Sequence, residues 1–302
     1  MMKGFAHPDY AESLAEFGVP RELPECGGWV LERSIPGYPH CDAMGCYPLF
    51  VCKDWSQLHA DLRTFEGRLV CVSMVTDPFG LYDEHLLCRC FDRVIPFKEH
   101  YVADLTKPID VIVSRHHRKY ARKALRNLSV EVCTEPIRYL DEWTGLYGEL
   151  ANKFRVAGIR AFSRSAFEKQ LNIPGAVMFR ALHHGEVVAA HLVFAQGDVC
   201  YGHLVGDTSA GHELLASYAL YLTELEYFAG TVEFLDWGAG AGIKTDSSDG
   251  LTQFKQGWST GTRTSYFCGR ILNREKYAEI ANSTGMESTD YFPAYRKGEF
   301  GS

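Results

Sequence analysis

Residues 233 to 269 read EFLDWGAGAGIKTDSSDGLTQFKQGWSTGTRTSYFCG. An apolar run ends at Asp236 and passes into the glycines Gly238, Gly240 and Gly242, the pattern of a strand followed by a sharp, close-packed loop. A polar segment, Lys244 to Gly250, leads into a short amphipathic turn, Leu251 to Trp258, in which Lys255 stands between Phe254 and Trp258. A second strand is expected from Arg263 to Cys268. The pattern delivers one lysine beside a glycine-rich backbone between two strands.

Upstream, Glu213 to Phe228 reads as a long helix that buries Leu214, Leu215, Tyr218, Leu222, Leu225 and Phe228. Before it, Ala176 to Leu182, Val187 to Ala195 and Val199 to Val205 form three strand-like runs separated by tight turns at His183 to Glu186 and Gln196 to Asp198, an antiparallel meander. Earlier still, Asp141 to Phe154 is an amphipathic helix, Ser163 is the N-cap of a helix reaching Leu171, and Val130 to Cys133 is a short strand. From Ile109 to Leu128 one helix is expected, its exposed face carrying Arg115, Arg118, Lys119, Arg122, Lys123 and Arg126 with no acid between them. Such a face is either a solvated surface with snorkelling side chains or an anion site. The first third holds a helix from Asp54 to Thr64, with Asp54 as N-cap, and a strand from Arg68 to Val75. Residues 1 to about 45, with prolines at 8, 20, 24, 36 and 39, are expected to be mostly loop with one short helix near Tyr10 to Phe17.

The strand and glycine cluster, the block Asp249-Gly250-Leu251 continuing to Phe254-Lys255-Gln256-Gly257-Trp258, and the final strand are together similar to the C-terminal signature of the FemAB-like and BioF2-like acyltransferases of the GNAT superfamily. The similarity extends upstream to the basic segment near Ser114, roughly the last two-thirds of the chain. It implies an α/β fold with a GNAT-like mixed, mainly antiparallel sheet flanked by helices. Residues 106–302 would form the acyltransferase domain, and residues 1–105 an N-terminal α/β region that could be a reduced first GNAT-like half. The activity implied is transfer of an acyl group from a thioester donor, acyl-CoA or acyl carrier protein, to the amine of a small-molecule or peptide-like acceptor. Two alternatives keep the fold: a FemAB-like ligase using aminoacyl-tRNA, which the basic helix favours, and a catalytically silent binding or scaffold module.

Acyl transfer to an amine needs a group that stabilises the oxyanion and another that accepts the amine's proton. Lys255 matches the lysine that the family uses on the carbonyl. For the proton, His203 ranks first because it ends a meander strand beside the next loop, with His191 and Asp236 as the other acceptors weighed; Asp236 could instead orient His203 or the incoming amine, and Tyr218 is a candidate acid by position. In GNAT enzymes the loop between that strand and the long helix holds the pyrophosphate of coenzyme A. Here it reads Gly206-Asp207-Thr208-Ser209-Ala210-Gly211-His212, with two glycines and no leading basic residue, a departure from the pattern. The candidate donor-binding residues are Gly206, Ser209, Gly211, His212 and Phe254, with Arg118 and Arg122 on the basic helix.

Other chemistries find no support in the sequence. No Gly-x-Ser-x-Gly elbow occurs, and the Gly238-x-Gly240-x-Gly242 run is not followed directly by the long helix of a dinucleotide site. The ten cysteines are scattered, several within apolar runs, and read as buried thiols. His40, Cys41 and Cys46 lack the paired spacing of a zinc site, so no metal is expected. A net charge of −7 argues against a surface that tracks nucleic acid throughout. No apolar run approaches the roughly 20 residues that span a bilayer. Residues Met1 to Pro8 lack the apolar core of a signal peptide, so a cytoplasmic location is expected.

Overall fold

The computed structural model describes residues 2–240, 250–286 and 288–299. Gly242 and the polar segment from Lys244 to residue 249 lie outside the described residues. The chain forms two compact units, one of Met1–His7, Lys98–Val156 and Phe162–Thr264, the other of Pro8–Phe97, Ala157–Ala161 and Ser265–Ser302.

The second unit begins with helix α1 (Pro8–Ser13) and then strands β1 (Val19–Leu23), β2 (Gly28–Ser34) and β3 (Cys41–Gly45), successive neighbours being antiparallel. The proline-rich opening is therefore not mostly loop. Pro20 lies in β1, at the end of the strand order, where a missing N–H is tolerated, and Pro36 and Pro39 occupy the turn between β2 and β3. A short 3-10 turn, capped by Asp54 Oδ1 accepting from Ser56 N at 2.9 Å, leads into α2 (Leu58–Arg63) and then β4 (Leu69–Val75), which runs parallel to β3. Helix α3 (Glu84–Cys90) precedes β5 (Arg93–Asp104), whose residues from Lys98 onward belong to the first unit.

In the first unit the basic segment is two helices, α4 (Ile109–Ile112) and α5 (Arg115–Ala124), because Ser114 breaks the run and caps α5, its Oγ accepting from His117 N at 3.2 Å. Strand β6 (Ser129–Cys133) is followed by α6 (Leu140–Phe154) and α7 (Arg164–Gln170), the latter capped by Ser163 as its sequence predicts. The meander is β7 (Ala176–His183), β8 (Glu186–Gln196) and β9 (Val199–Asp207). The long helix that follows starts earlier than expected and is interrupted. Helix α8 (Ser209–Glu213) ends near Leu215, which adopts a left-handed φ of 62°, and α9 (Ala216–Phe228) then resumes. Strand β10 (Phe234–Ala239), helix α10 (Gly250–Gln256), strand β11 (Gly261–Ile271) and helix α11 (Arg274–Ser283) complete the elements.

The first unit's strand order is β5-β10-β9-β8-β7-β6, with only β10 and β9 parallel. The second unit's is β1-β2-β3-β4-β11, with only β3 and β4 parallel. Apart from β6, which the first unit adds at its edge, each unit repeats one plan: three antiparallel strands (β7-β8-β9 or β1-β2-β3), a helical crossover, a strand parallel to the third (β10 or β4), and an antiparallel strand beside that one. That last strand is drawn from the other half of the sequence, β5 beside β10 and β11 beside β4. The expected mixed, mainly antiparallel sheet flanked by helices is what forms. In the first unit α5 and α9 bury Ala121, Ala124, Ala219, Leu220 and Leu225 against Phe179 and Val193 of the sheet. Among the described residues no helix is long and apolar enough to cross a membrane.

Candidate active site

The parallel pair β9 and β10 stays in register through Phe234 opposite Val199, Leu235 opposite Cys200 and Asp236 opposite Tyr201. Pairing between them ends there, although β9 continues to Asp207 and β10 to Ala239. Beyond Asp236, β10 pairs on its other side with β5 through a bulge, Asp236 facing Val102 and Ala239 facing His100. The side chain of Asp236 shapes this bulge: Oδ1 accepts from Gly238 N at 2.7 Å, and Gly238 takes a φ of +74° that a Cβ would strain. Its other oxygen, Oδ2, accepts the Nδ1–H of His100 at 2.8 Å. Both groups are buried.

Helix α10 brings Lys255 to the same strand end. Its Nζ donates to the carbonyl of Ala239 at 2.7 Å, and a Cβ built on Gly238 would stand 3.4 Å from it. Gly240 permits this approach, since a Cβ there would meet Thr252 Oγ1 at 2.4 Å. The flanking aromatics face inward, Phe254 and Trp258 packing with Tyr218 and Tyr221 at ring separations of 4.9 to 6.1 Å. Helix α5 holds this turn in place. His117 Nε2–H donates to the Phe254 carbonyl at 3.0 Å, which leaves Nδ1 to accept from Ser114 Oγ at 2.8 Å. Ser114 N in turn donates to Gly257 O at 2.9 Å. Burial lowers the pKa of His117, against the opposing pull of the Phe254 carbonyl, and so favours this neutral tautomer.

The sequence candidates are placed apart. Asp236 and Lys255 come together at the β10 end, but His203 does not join them. Its ring lies among Phe5, Phe162 and Phe194 at 5.5, 5.5 and 5.0 Å, with Nε2 and Gln170 Oε1 3.1 Å apart. Burial, reinforced by His191, pushes its pKa down to about 3. His191 pairs Nδ1–H to Glu224 Oε1 at 2.8 Å and stacks on Tyr221, which stacks on Trp237. Tyr218 lies against His117, Tyr120 and Phe254, and burial followed by Tyr120 raises its hydroxyl pKa.

The expected glycine loop does not form: Gly206 lies in β9 and Gly211 within α8, with Thr208 alone between the two elements, and both glycines serve packing. A Cβ on Gly206 would come within 3.0 Å of Leu146 Cβ, and one on Gly211 within 2.2 Å of the Val188 carbonyl. Ser209 and His212 are exposed, and His212 lies 3.8 Å from Asp207. On α5, Arg122 is exposed and Arg118 is half-buried, its Nε without a hydrogen bond among the described residues. Among the described residues no group of three His, Cys, Asp or Glu side chains could hold a metal ion.

Sequence reasoning missed His100. It pairs with a residue 136 positions away, which no local pattern reports. The available signal was alternation: His100-Tyr101-Val102-Ala103 puts a histidine on a strand whose Tyr101 and Ala103 join the core under α5 and α9, so His100 takes the other side.

The fold is shared with known structures. FemX superposes with a TM-score of 0.63 at 14% identity, over 90% of this chain and 93% of that one. The C-terminal domain of a candidate lysylphosphatidylglycerol synthetase from Agrobacterium fabrum gives 0.61 at 13% identity, over 93% of each chain. L-PGS from Bacillus licheniformis gives 0.59 at 15% identity, over 91% of this chain and 95% of that one. At these identities the likeness is one of fold. No protein-family model matches the chain, and no curated protein matches it in sequence.

Proposed function

We propose that the chain is an acyl-transfer enzyme that moves an acyl group from an activated ester or thioester to the amine of a small-molecule or peptide-like acceptor. The observation that carries this reading is the placement of Lys255: a buried cation fixed on the Ala239 carbonyl where the β9 and β10 ladder ends. Strand ends of this kind, at the carboxyl side of parallel strands, are where α/β sheets take ligands. A preorganised cation there stabilises the negative charge that gathers on a carbonyl oxygen under attack, and the surrounding rings keep the local dielectric low.

For the donor, the first reading is a thioester, acyl-CoA or acyl carrier protein. The second is aminoacyl-tRNA, and one observation favours it. Arg115, Lys119, Arg122, Lys123 and Arg126 are all exposed on or just after α5, and none pairs with an acid among the described residues. The structurally similar candidate lysylphosphatidylglycerol synthetase is named for a lysyl product, which is in keeping with an aminoacyl donor.

The test is a thermal-shift and native mass-spectrometry screen against coenzyme A, acetyl-CoA, palmitoyl-CoA and a mixed aminoacyl-tRNA pool. Retention of a CoA species supports the thioester reading. A response to tRNA alone, weakened by salt and by Arg122→Glu, supports the second. Silence toward every donor favours a scaffold role on the same fold.

A further inference from the structure

We propose that His100, oriented by Asp236, accepts the proton released by the attacking amine. The inference rests on the acyl-transfer reading and adds to it the base that the reading lacks. His203 is a poor proton acceptor, because its ring lies within an aromatic shell beside Gln170. His191 is occupied with Glu224 and with the Tyr221 stack, and only 2% of it is exposed. Lys255 must stay charged to stabilise an oxyanion.

His100 stands where a base is needed. It lies directly across the ladder from Ala239, whose carbonyl holds Lys255, so imidazole and ammonium flank one strand end. Asp236 accepts the Nδ1–H of His100, which leaves Nε2 of the neutral ring as the proton acceptor. His100 keeps 10% of its side chain exposed and Asp236 only 2%, so of the pair the imidazole lies nearer the surface. Asp236 is a positioning residue. Its Oδ1 bond to Gly238 N ties the orientation of the ring to the bulge that presents Ala239.

The step balances without any further reactant. The amine lone pair forms the new C–N bond while the carbonyl π pair moves to oxygen beside Lys255, and the N–H proton passes to His100 Nε2. The carbonyl re-forms as the C–S or C–O bond to the donor breaks, and the leaving thiolate or alkoxide takes the proton from the imidazolium. Amine and acyl donor become amide and thiol or alcohol.

The experiment measures transfer from acetyl-CoA, palmitoyl-CoA and the mixed aminoacyl-tRNA pool to glycinamide, by wild type, Lys255→Met, His100→Gln, His100→Ala and Asp236→Asn. The expected result is a fall in kcat of about 10²–10⁴-fold in His100→Gln with KM little changed, a smaller fall in Asp236→Asn, and partial recovery of His100→Ala by added imidazole. Imidazole rescue is a response that a purely structural histidine does not give. Transfer that Lys255→Met abolishes but His100→Gln and His100→Ala retain overturns this inference alone. Absence of transfer by wild type from every donor overturns the functional reading and this inference with it.

Discussion

A lysine with 8% of its surface exposed has given up most of its hydration, a cost that the hydrogen bond to the Ala239 carbonyl at 2.7 Å helps to offset. Replacing Lys255 by methionine, similar in length and uncharged, is therefore expected to leave the melting temperature level or higher while turnover falls by about 10²–10³-fold, the usual cost of losing one oxyanion donor. Circular dichroism melts beside the transfer assay check both halves. His203 leads to a different expectation. Its ordinary pKa of 6.5 drops to about 3 in the fold, so above pH 6.5 the ring is neutral in folded and unfolded chains alike. Between pH 6.5 and 3 the unfolded chain binds a proton that the folded chain does not, and stability is lost as pH falls through that window. His117 is shifted in the same direction and adds to the loss. His203→Gln should flatten the dependence of melting temperature on pH between 6 and 4; slopes equal to wild type would contradict the assignment. Residue type and local spacing singled out Lys255 and Asp236, and the fold places both at the β10 end. His100 was not legible, because its contact with Asp236 comes from strand pairing across the chain.

At the scale of elements, the site depends on the hold of α5 on α10. A Cβ on Gly257 would lie 2.1 Å from His117 Cε1, so Gly257→Ala is expected to destabilise the fold by about 1–3 kcal/mol, as overpacking does. The two positions should couple. His117→Ala opens the space, and the double variant should be less destabilised than the sum of the two singles, as read by urea denaturation. Strict additivity would show that the helices do not press on each other there. Sequence reasoning found most helices and strands because their caps and periods are local, as with Asp54 and Ser163. It missed the break at Ser114, where a capping serine sits inside a continuous amphipathic run. It also carried one helix through Leu214 and Leu215, whose apolar character fits a buried face whether or not the backbone turns left-handed at Leu215. Gly211 reads equally well as a phosphate loop or as close packing on the Val188 carbonyl.

At the scale of the whole molecule, each of the two units includes a strand drawn from the other half of the sequence. β5 begins among the residues of one unit and ends among those of the other, and β11 does the reverse. The C-terminal residues are bound to the second unit by a buried ion cluster. Arg296 donates to both oxygens of Asp42 at 2.6 and 2.9 Å, Tyr295 OH donates to Oδ2 at 3.1 Å, and Arg33 bridges Asp42 and Glu299. Since Asp42 is fully buried, Arg296→Met should destabilise this unit by at most about 3–5 kcal/mol, the remaining Arg33 moderating the loss. Adding Asp42→Asn should recover part of it in the same denaturation experiment.

The central claim is that Lys255 at the β10 end serves acyl transfer. The most direct measurement is a side-by-side assay of wild type and Lys255→Met for transfer to glycinamide from acetyl-CoA, palmitoyl-CoA and the aminoacyl-tRNA pool. The account predicts transfer by wild type from one donor class and a loss of at least about 100-fold in the variant with its fold intact. Equal rates in the two proteins, or no transfer by wild type from any donor, would contradict it.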